Sequence, residues 1–444
     1  MSALWTAEEL QALFGTGYDI TGLSIDTRTL RPGDLFVALQ GERDGHDFVP
    51  AAFEKGAAAA LVSRPVDGPH ILVPDVLKAL EQLGIAARER SDAKLLAVTG
   101  SVGKTTVKEM LRRTLAAFGV VHAAEASFNN HIGVPLTLAR MPHDADFGIF
   151  EIGMNHPGEI APLAALVRPD VAIVTCVDRA HLGMMGSELA IAKEKASIYG
   201  ALSASGKAVI PGESAYLQVL REAVPPGHCA LLFNGAEARL LDVLNGPEAS
   251  EIAAEILDTK VYFHLRAPGR HMASNALAVL TAAAALDLDV EMAAAALNGF
   301  APFAGRGARR DIRLEDGRRI ALIDESYNAS GASLRAAFAV LKLQPGRHVA
   351  VLGDILELGE FAEAEHLALA APLREAADIV FTAGPHCGAL FDSLPRAIQG
   401  ARAPDAASLA PLVKAALRDG DTVLVKGSHG SRMRDVISAL ESPG

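Results

Sequence analysis

The sequence predicts an α/β protein of three domains, and three observations carry that reading. The chain has 444 residues, and at roughly 150 residues per domain that length suggests about three. From Lys94 onward, apolar runs of strand length alternate with helical stretches, the pattern of a mostly parallel sheet covered by helices. A second block with the same rhythm begins near Arg319. Half of the residues (50%) are hydrophobic and 21% are charged, enough for large cores and unlike a disordered or collagen-like chain.

Residues 1–90 read as a small α/β unit. Within it 34–39 is strand-like, 48–55 is helical, and 58–62 is a short buried strand or a helix end. Pro65, Pro69 and Pro74 break the pattern across 63–74. Residues 91–305 form the central unit, in which strand runs at 95–98, 147–152 and 171–177 are each followed by a helical stretch, at 105–118, 158–166 and 188–202. The Gly- and Arg-rich segment 300–313 reads as a hinge. Residues 306–444 form a third, Rossmann-like unit. Its strand runs are 320–323, 349–352, 379–382 and 423–425, and its helical runs are 333–343, 361–376, 409–417 and 433–440. No internal repeat is visible.

Composition narrows the function. The net charge of −12 argues against a general nucleic-acid binder, though not against a local phosphate pocket. The three cysteines, Cys176, Cys229 and Cys387, are far apart and form no CxxC pair, which fits a reducing cytosol and no structural zinc. The start of the chain, Met1 to Trp5, lacks a basic segment followed by an apolar stretch. The most apolar run, 275–286, is too short for a membrane span. A cytoplasmic monomer without membrane insertion is the expectation.

The strongest motif is Thr99-Gly100-Ser101-Val102-Gly103-Lys104-Thr105-Thr106. A buried strand enters it and a helix leaves it. Glycines let main-chain N–H groups turn inward around phosphate oxygens, and the helix start favours anions. Lys104 would reach the β- and γ-phosphates, and the Thr105 hydroxyl would hold Mg²⁺. Val98 stands where the common pattern has its first glycine, so this is a shortened loop.

This shortened form resembles that of the Mur ligase family, which joins amino acids or dipeptides to a nucleotide-linked peptide. Further segments extend the resemblance along nearly the whole chain, in order. The resemblance implies ATP and Mg²⁺, with Gly100, Ser101, Gly103, Lys104, Thr105 and Thr106 around the phosphates. Glu151, in Glu151-Ile152-Gly153 with Gly158-Glu159-Ile160 beyond it, is then a magnesium ligand at a strand tip. His181 and Lys195 lie fourteen residues apart, the spacing of the family's metal-linked histidine and carbamylated lysine. Carbamylation would turn an ammonium into a carboxylate-like anion, a hard oxygen ligand for a second Mg²⁺. Ser197 stands here where many relatives carry Glu, and Met184-Met185 replaces a more usual Gly-aromatic pair.

His271 and Asn275, four apart in Pro268 to Ala276, resemble the nucleotide-base segment. Arg306, in Gly305-Arg306-Gly307, would cross the hinge to the γ-phosphate, and Asp324 would accept ribose hydroxyls. Asp26, Thr27, Arg28 and Asp47 resemble a UDP-sugar-binding unit. Asn129 and Asn130 in the 128–137 segment, Asn328 in 324–329, and the 351–359 and 425–430 segments resemble the branch that adds the final dipeptide. For that branch the resemblance implies UDP-N-acetylmuramoyl-tripeptide and D-alanyl-D-alanine as substrates, joined through an acyl phosphate. Lys104, Lys195 and His181 are the expected catalytic set. Ser330-Gly331 stands where that branch usually has Asn-Pro. The motifs leave open whether the third peptide residue is meso-diaminopimelate or L-lysine. The rivals are a related Mur-type or folate polyglutamate-type amide ligase, and a phosphate-loop switch without ligase chemistry.

Overall fold

The computed structural model describes residues 3–125 and 127–441. Met1 and Ser2, part of the segment read for a leader, lie outside them. The described residues fold into three sheets.

The first sheet holds β1 (Gly22–Ser24), β2 (Asp34–Val37), β3 (Ala59–Val62) and β4 (His70–Leu72), all parallel and in that order. The 58–62 run is thus a strand. The 63–74 stretch, where three prolines break the sequence pattern, contains β4. Its prolines flank that strand rather than interrupt it, and the Pro69 carbonyl accepts a ladder-like bond from Ala60 N at 3.0 Å.

The second sheet runs β13-β12-β11-β10-β9-β8-β5-β7-β6. Its strands are β5 (Lys94–Thr99), β6 (Val121–Ala123), β7 (Phe147–Glu151), β8 (Val171–Val174), β9 (Lys207–Pro211), β10 (Cys229–Phe233), β11 (Ala238–Asn245), β12 (Ser250–Ile256) and β13 (Thr259–Leu265). β5 is buried from Leu95 to Thr99 because helices cover both faces of the sheet. The chain builds to one side of β5 with β6 and β7, then to the other with β8 and β9. The loop after β5 therefore sits at a switch in strand order, where open α/β sheets form their clefts. β11 to β13 are antiparallel to one another and were not anticipated from the sequence.

The third sheet is ordered β14-β15-β19-β16-β17-β18. Its strands are β14 (Ala308–Arg313), β15 (Arg319–Glu325), β16 (His348–Gly353), β17 (Ile379–Ala383), β18 (Gln399–Ala403) and β19 (Thr422–Lys426). The 300–313 hinge is corrected here: its second half is β14, an edge strand antiparallel to β15. Arg309, Arg310 and Arg313 suit an edge, where charge is solvated and discourages pairing with another chain.

Two joins hold the sheets together. Helix Val76–Glu89 of the first unit packs on helix Gly133–Ala139 of the second, with Leu80, Leu83, Leu136 and Ala139 in one buried core. Gly84 permits the approach, since a Cβ there would lie 3.2 Å from the Pro135 carbonyl oxygen. Trp5 belongs to that core, and its indole N–H donates to the Ala139 carbonyl at 2.9 Å. The second and third units meet around a cavity of about 520 Å³. Among the described residues, no helix is long and apolar enough to cross a membrane.

Candidate active site

The phosphate loop is folded as its residues require. Gly100 has φ +149°, and a Cβ there would come 1.8 Å from Thr175 Oγ1, so no other residue fits. Gly103 has φ +88°, opens helix Lys104–Leu115, and faces the Asn275 side chain. Ser101 Oγ donates to the Asp178 carbonyl at 2.8 Å, and Thr175 Oγ1 donates to the Val102 carbonyl at 2.5 Å, so the loop is braced by the chain after β8. Ser101, Gly103, Lys104, Thr105 and Thr106 line the cavity. Gly100 lies just outside the lining, yet its carbonyl accepts a 2.7 Å bond from Lys104 Nζ. Burial pushes the Lys104 ammonium toward its neutral form, and Glu151 opposes that shift. A partly buried cation at a helix start is poised for an anion that would complete its solvation.

Glu151 ends β7, in register beside Val98 of β5. It is 1% exposed. Its Oε1 accepts a bond from Asn129 Nδ2 at 2.8 Å, while Oε2 is buried with no hydrogen-bond partner. An orphaned carboxylate oxygen beside a phosphate loop suits a divalent cation, and Thr105 adds a second hard oxygen nearby. These residues fit Mg²⁺. Asn129 lines the cavity and bonds to this carboxylate.

Lys195 is buried in helix Glu188–Ala196 and does not itself line the cavity. Burial first, and the Lys104 ammonium second, push its pKa down to about 7. A lysine held partly neutral at ordinary pH is a competent nucleophile toward CO₂, whereas its bare ammonium could not bind a metal. His181 lines the cavity with a left-handed backbone, φ +63°. Its Nδ1 lies 2.5 Å from Glu357 Oε2, an ion-pair approach rather than an in-line hydrogen bond. That imidazole holds the Glu357 carboxyl below the usual range.

His271 and Asn275 share a face of helix Arg270–Ala285 and both line the cavity. Burial keeps the His271 imidazole neutral to lower pH than usual. From the third unit, Arg306 reaches the same cavity, its guanidinium stacked 4.1 Å above the Tyr327 ring. Asn328 lines it too.

Other residues singled out from the sequence lie elsewhere. Asp324 is buried outside the lining, where Oδ1 accepts bonds from Ser326 N and Oγ and Oδ2 sits 3.7 Å from Arg310. Asn130 Oδ1 accepts from Ile132 N and Gly133 N, at the start of helix Gly133–Ala139. Asp26, Thr27, Arg28 and Asp47 are on the first unit and outside this cavity. Arg28 pairs with Asp26 at 2.6 Å, Lys55 donates to the Thr27 carbonyl, and Arg64 lies 3.5 Å from Asp47.

The sequence reading did not single out Glu325, Lys426 or Glu357, all of which line the cavity. Glu325 and Lys426 pair in register at the ends of β15 and β19, with Lys426 Nζ 3.0 Å from Glu325 Oε2. Their place at the carboxyl ends of apolar parallel strands was a usable signal.

The fold and cavity together define a phosphate-loop protein of three α/β units, with its cleft between the second and third. Comparison with known proteins narrows that class. A family model described as "Mur ligase middle domain" matches residues 98–283. Another, "Mur ligase, glutamate ligase domain", matches 309–429, and "Mur ligase family, catalytic domain" matches 19–71. A UDP-N-acetylmuramoyl-tripeptide–D-alanyl-D-alanine ligase of Synechocystis sp. is 35% identical, over 95% of this chain and 92% of its own. The crystal structure of MurF from Acinetobacter baumannii superposes with a TM-score of 0.88 at 29% identity, covering 98% of each chain. MurF ligase from Thermotoga maritima in complex with ADP gives a TM-score of 0.80 at 26% identity, covering 95% of this chain and 97% of its own. The chain belongs to the Mur ligase family.

Proposed function

We propose that this protein joins D-alanyl-D-alanine to UDP-N-acetylmuramoyl-tripeptide at the expense of ATP. The product would be UDP-N-acetylmuramoyl-pentapeptide, a peptidoglycan precursor. One observation carries the reading. The phosphate loop and the third unit's strand ends meet in one cavity, in a chain 35% identical over 95% of its length to a ligase of that name.

A carboxylate and an amine do not condense usefully in neutral water, because the acid is anionic and its oxygen leaves poorly. In the proposed reaction a tripeptide carboxylate oxygen attacks the γ-phosphorus. The bond to the bridging oxygen breaks, and ADP departs. The dipeptide amine then attacks the acyl carbon and loses a proton as phosphate leaves. Lys104 and the helix start at Lys104–Leu115 would neutralise charge on the transferring group, and Arg306 would do so from the opposite wall. Thr105 and Glu151 would hold Mg²⁺, with His181 and a carbamylated Lys195 at a second position. Bound there, Mg²⁺ would supply charge neutralisation at the phosphates.

His271 and Asn275 would contact the base, and Asp324 the ribose once its bonds to Ser326 are exchanged. Asp26, Thr27, Arg28 and Asp47 would hold the UDP-sugar, and Asn129, Asn130 and Asn328 the peptide portions. In this reading residues 1–90 would hold the UDP-sugar, 91–305 would bind ATP, and 306–444 would supply dipeptide and further nucleotide contacts. A cytoplasmic setting and a monomer accord with three substrates gathered by one chain. A folate polyglutamate-type ligase is the disfavoured alternative.

The test is a three-substrate assay that omits each component in turn and identifies the product by mass. Pentapeptide formation coupled to ADP release, only when all three are present, is expected. Complete mixtures that release no ADP, or release it without pentapeptide, would overturn the proposal.

A further inference from the structure

The loop that carries His181 is met by a loop from the other side of the cleft. Glu357 follows β16 of the third unit, and that unit fixes its loop. Ile355 N donates to His366 Nε2 at 3.0 Å, and Leu356 N donates to Ser428 Oγ at 3.0 Å. Across the seam, Gly183 N donates to the Glu357 carbonyl at 3.0 Å. Gly183 also lies so close to Gly359 that a Cβ would stand 2.6 Å from its amide nitrogen. Arg179 completes the seam, with Nη1 2.7 Å from Glu365 Oε1 and Nε 2.6 Å from Glu188 Oε1.

At the centre of this seam His181 and Glu357 face each other, and both are non-glycine residues with left-handed backbones, φ +63° and +65°. Two such conformations are costly, and surroundings that hold both imply that the pairing matters. His181 lines the cavity, and its Nδ1 is the nitrogen beside the carboxylate, so Nε2 is the nitrogen left to serve as a ligand. A carboxylate 2.5 Å from one ring nitrogen could accept that nitrogen's proton after a small turn of the ring, which would fix the tautomer and make the other nitrogen a better ligand.

We propose that Glu357 is a positioning residue for His181, so that the metal position His181 serves is complete only when the third unit is docked. The inference rests on the reading of His181 as a metal-binding residue given above. It assigns the carboxylate that orients this histidine to the opposite unit, which ties metal binding to closure of the cleft.

The test is a Mn²⁺ titration of the full chain by electron paramagnetic resonance, with bicarbonate and a non-hydrolysable ATP analogue. Glu357→Leu keeps bulk but loses the acceptor, and Glu357→Gln keeps a neutral one. In Glu357→Leu the weaker Mn²⁺ should bind about tenfold less tightly or worse, with Glu357→Gln between it and the parent and the tighter Mn²⁺ unmoved. His181→Ala should lose the weaker Mn²⁺, and adding Glu357→Leu to it should cost nothing more. If His181→Ala loses that ion while Glu357→Leu binds both like the parent, the positioning role is wrong and the metal reading stands. If His181→Ala binds both ions like the parent, the metal reading itself fails, and the positioning role with it.

Discussion

Trp5 and Arg306 stand at two joins of the same central unit, and their surroundings treat them in opposite ways. Trp5 is 1% exposed, lies 3.5 Å under the Arg90 guanidinium, and shares its core with Leu136 and Ala139 of the neighbouring helix. Arg306 rests on one aromatic ring and otherwise faces a cavity of about 520 Å³. One join is filled and the other is hollow. Filled apolar joins carry stability and move as one body, while hollow joins leave room for substrates and for closure around them.

The sharpest separation of the two comes from Lys104→Ala. Ligation should fall about 10³-fold or more, since a partly buried cation that would face the transferring group is lost. The thermal unfolding midpoint should hold or rise, because burial already disfavours this ammonium. A well-folded variant with near-normal turnover would remove Lys104 from its role.

At the filled join, Trp5→Ala should cost about 3–5 kcal/mol. Circular dichroism in denaturant is the measurement, because Trp5 is the chain's single tryptophan and its fluorescence goes with it. A loss below about 1 kcal/mol would show that the first unit is not anchored there.

The two joins also differed in how far the sequence revealed them. The phosphate loop, Glu151 and the apolar strands β5, β7 and β8 were legible because local pattern dictates them: a continuous apolar run, a glycine turn, a carboxylate at a strand tip. β14 was not, since Arg309 and Arg310 look like solvated loop until β15 lies beside them. β11 to β13 were missed for a related reason, because their solvent faces mix Leu244 and Tyr262 with charge and blur the alternation. The partners of His181 and Arg179, Glu357 and Glu365, are more than 170 residues distant in the chain. No local pattern encodes such a pair. The same holds for Asn130, where the sequence shows an amide but not the helix start it caps.

Behind the hollow join, Lys195 gives a pH signature. Its folded pKa of about 7 lies below the ordinary 10.5. Between those values the unfolded chain holds a proton that the folded chain does not, so parent stability rises with pH across that window. Below about 7 both states are protonated, and the fold bears the whole cost of burying the charge. In CO₂-free buffer, Lys195→Met should therefore be more stable than the parent at pH 6, by a few kcal/mol in order of magnitude. The advantage should shrink as pH climbs from 7 toward 10.5. A constant difference at all pH values would mean Lys195 is not buried as an ammonium. Activity lost in Lys195→Ala should return in part with a small added carboxylic acid, which would stand in for the proposed carbamate.

Arg179→Met probes the rim of the hollow join. It leaves Glu365, whose side chain is 7% exposed, without its cross-seam partner, a loss on the order of 1–2 kcal/mol. Amide exchange across 179–186 should quicken about 5- to 30-fold, while exchange across 133–139 in the filled join should not change. Equal quickening of both segments would mean that the two joins open together and do not differ in rigidity.

Salt should produce the smallest effect, and its size is itself informative. Screening shortens from about 10 Å at 0.1 M to about 3 Å at 1 M ionic strength. The rim contacts of Arg179 are 2.6 and 2.7 Å long, short enough to keep much of their attraction even then. The arginine is half exposed and Glu188 is partly so, and pairs of that kind contribute below about 1 kcal/mol. Exchange across 179–186 should therefore rise no more than about threefold in sodium chloride, and exchange across 133–139 should stay level, since the buried leucines there gain nothing from charge. A salt response at 133–139 instead would place the Arg90–Glu9 pair, 2.8 Å long, rather than the Trp5 core, at the heart of the filled join.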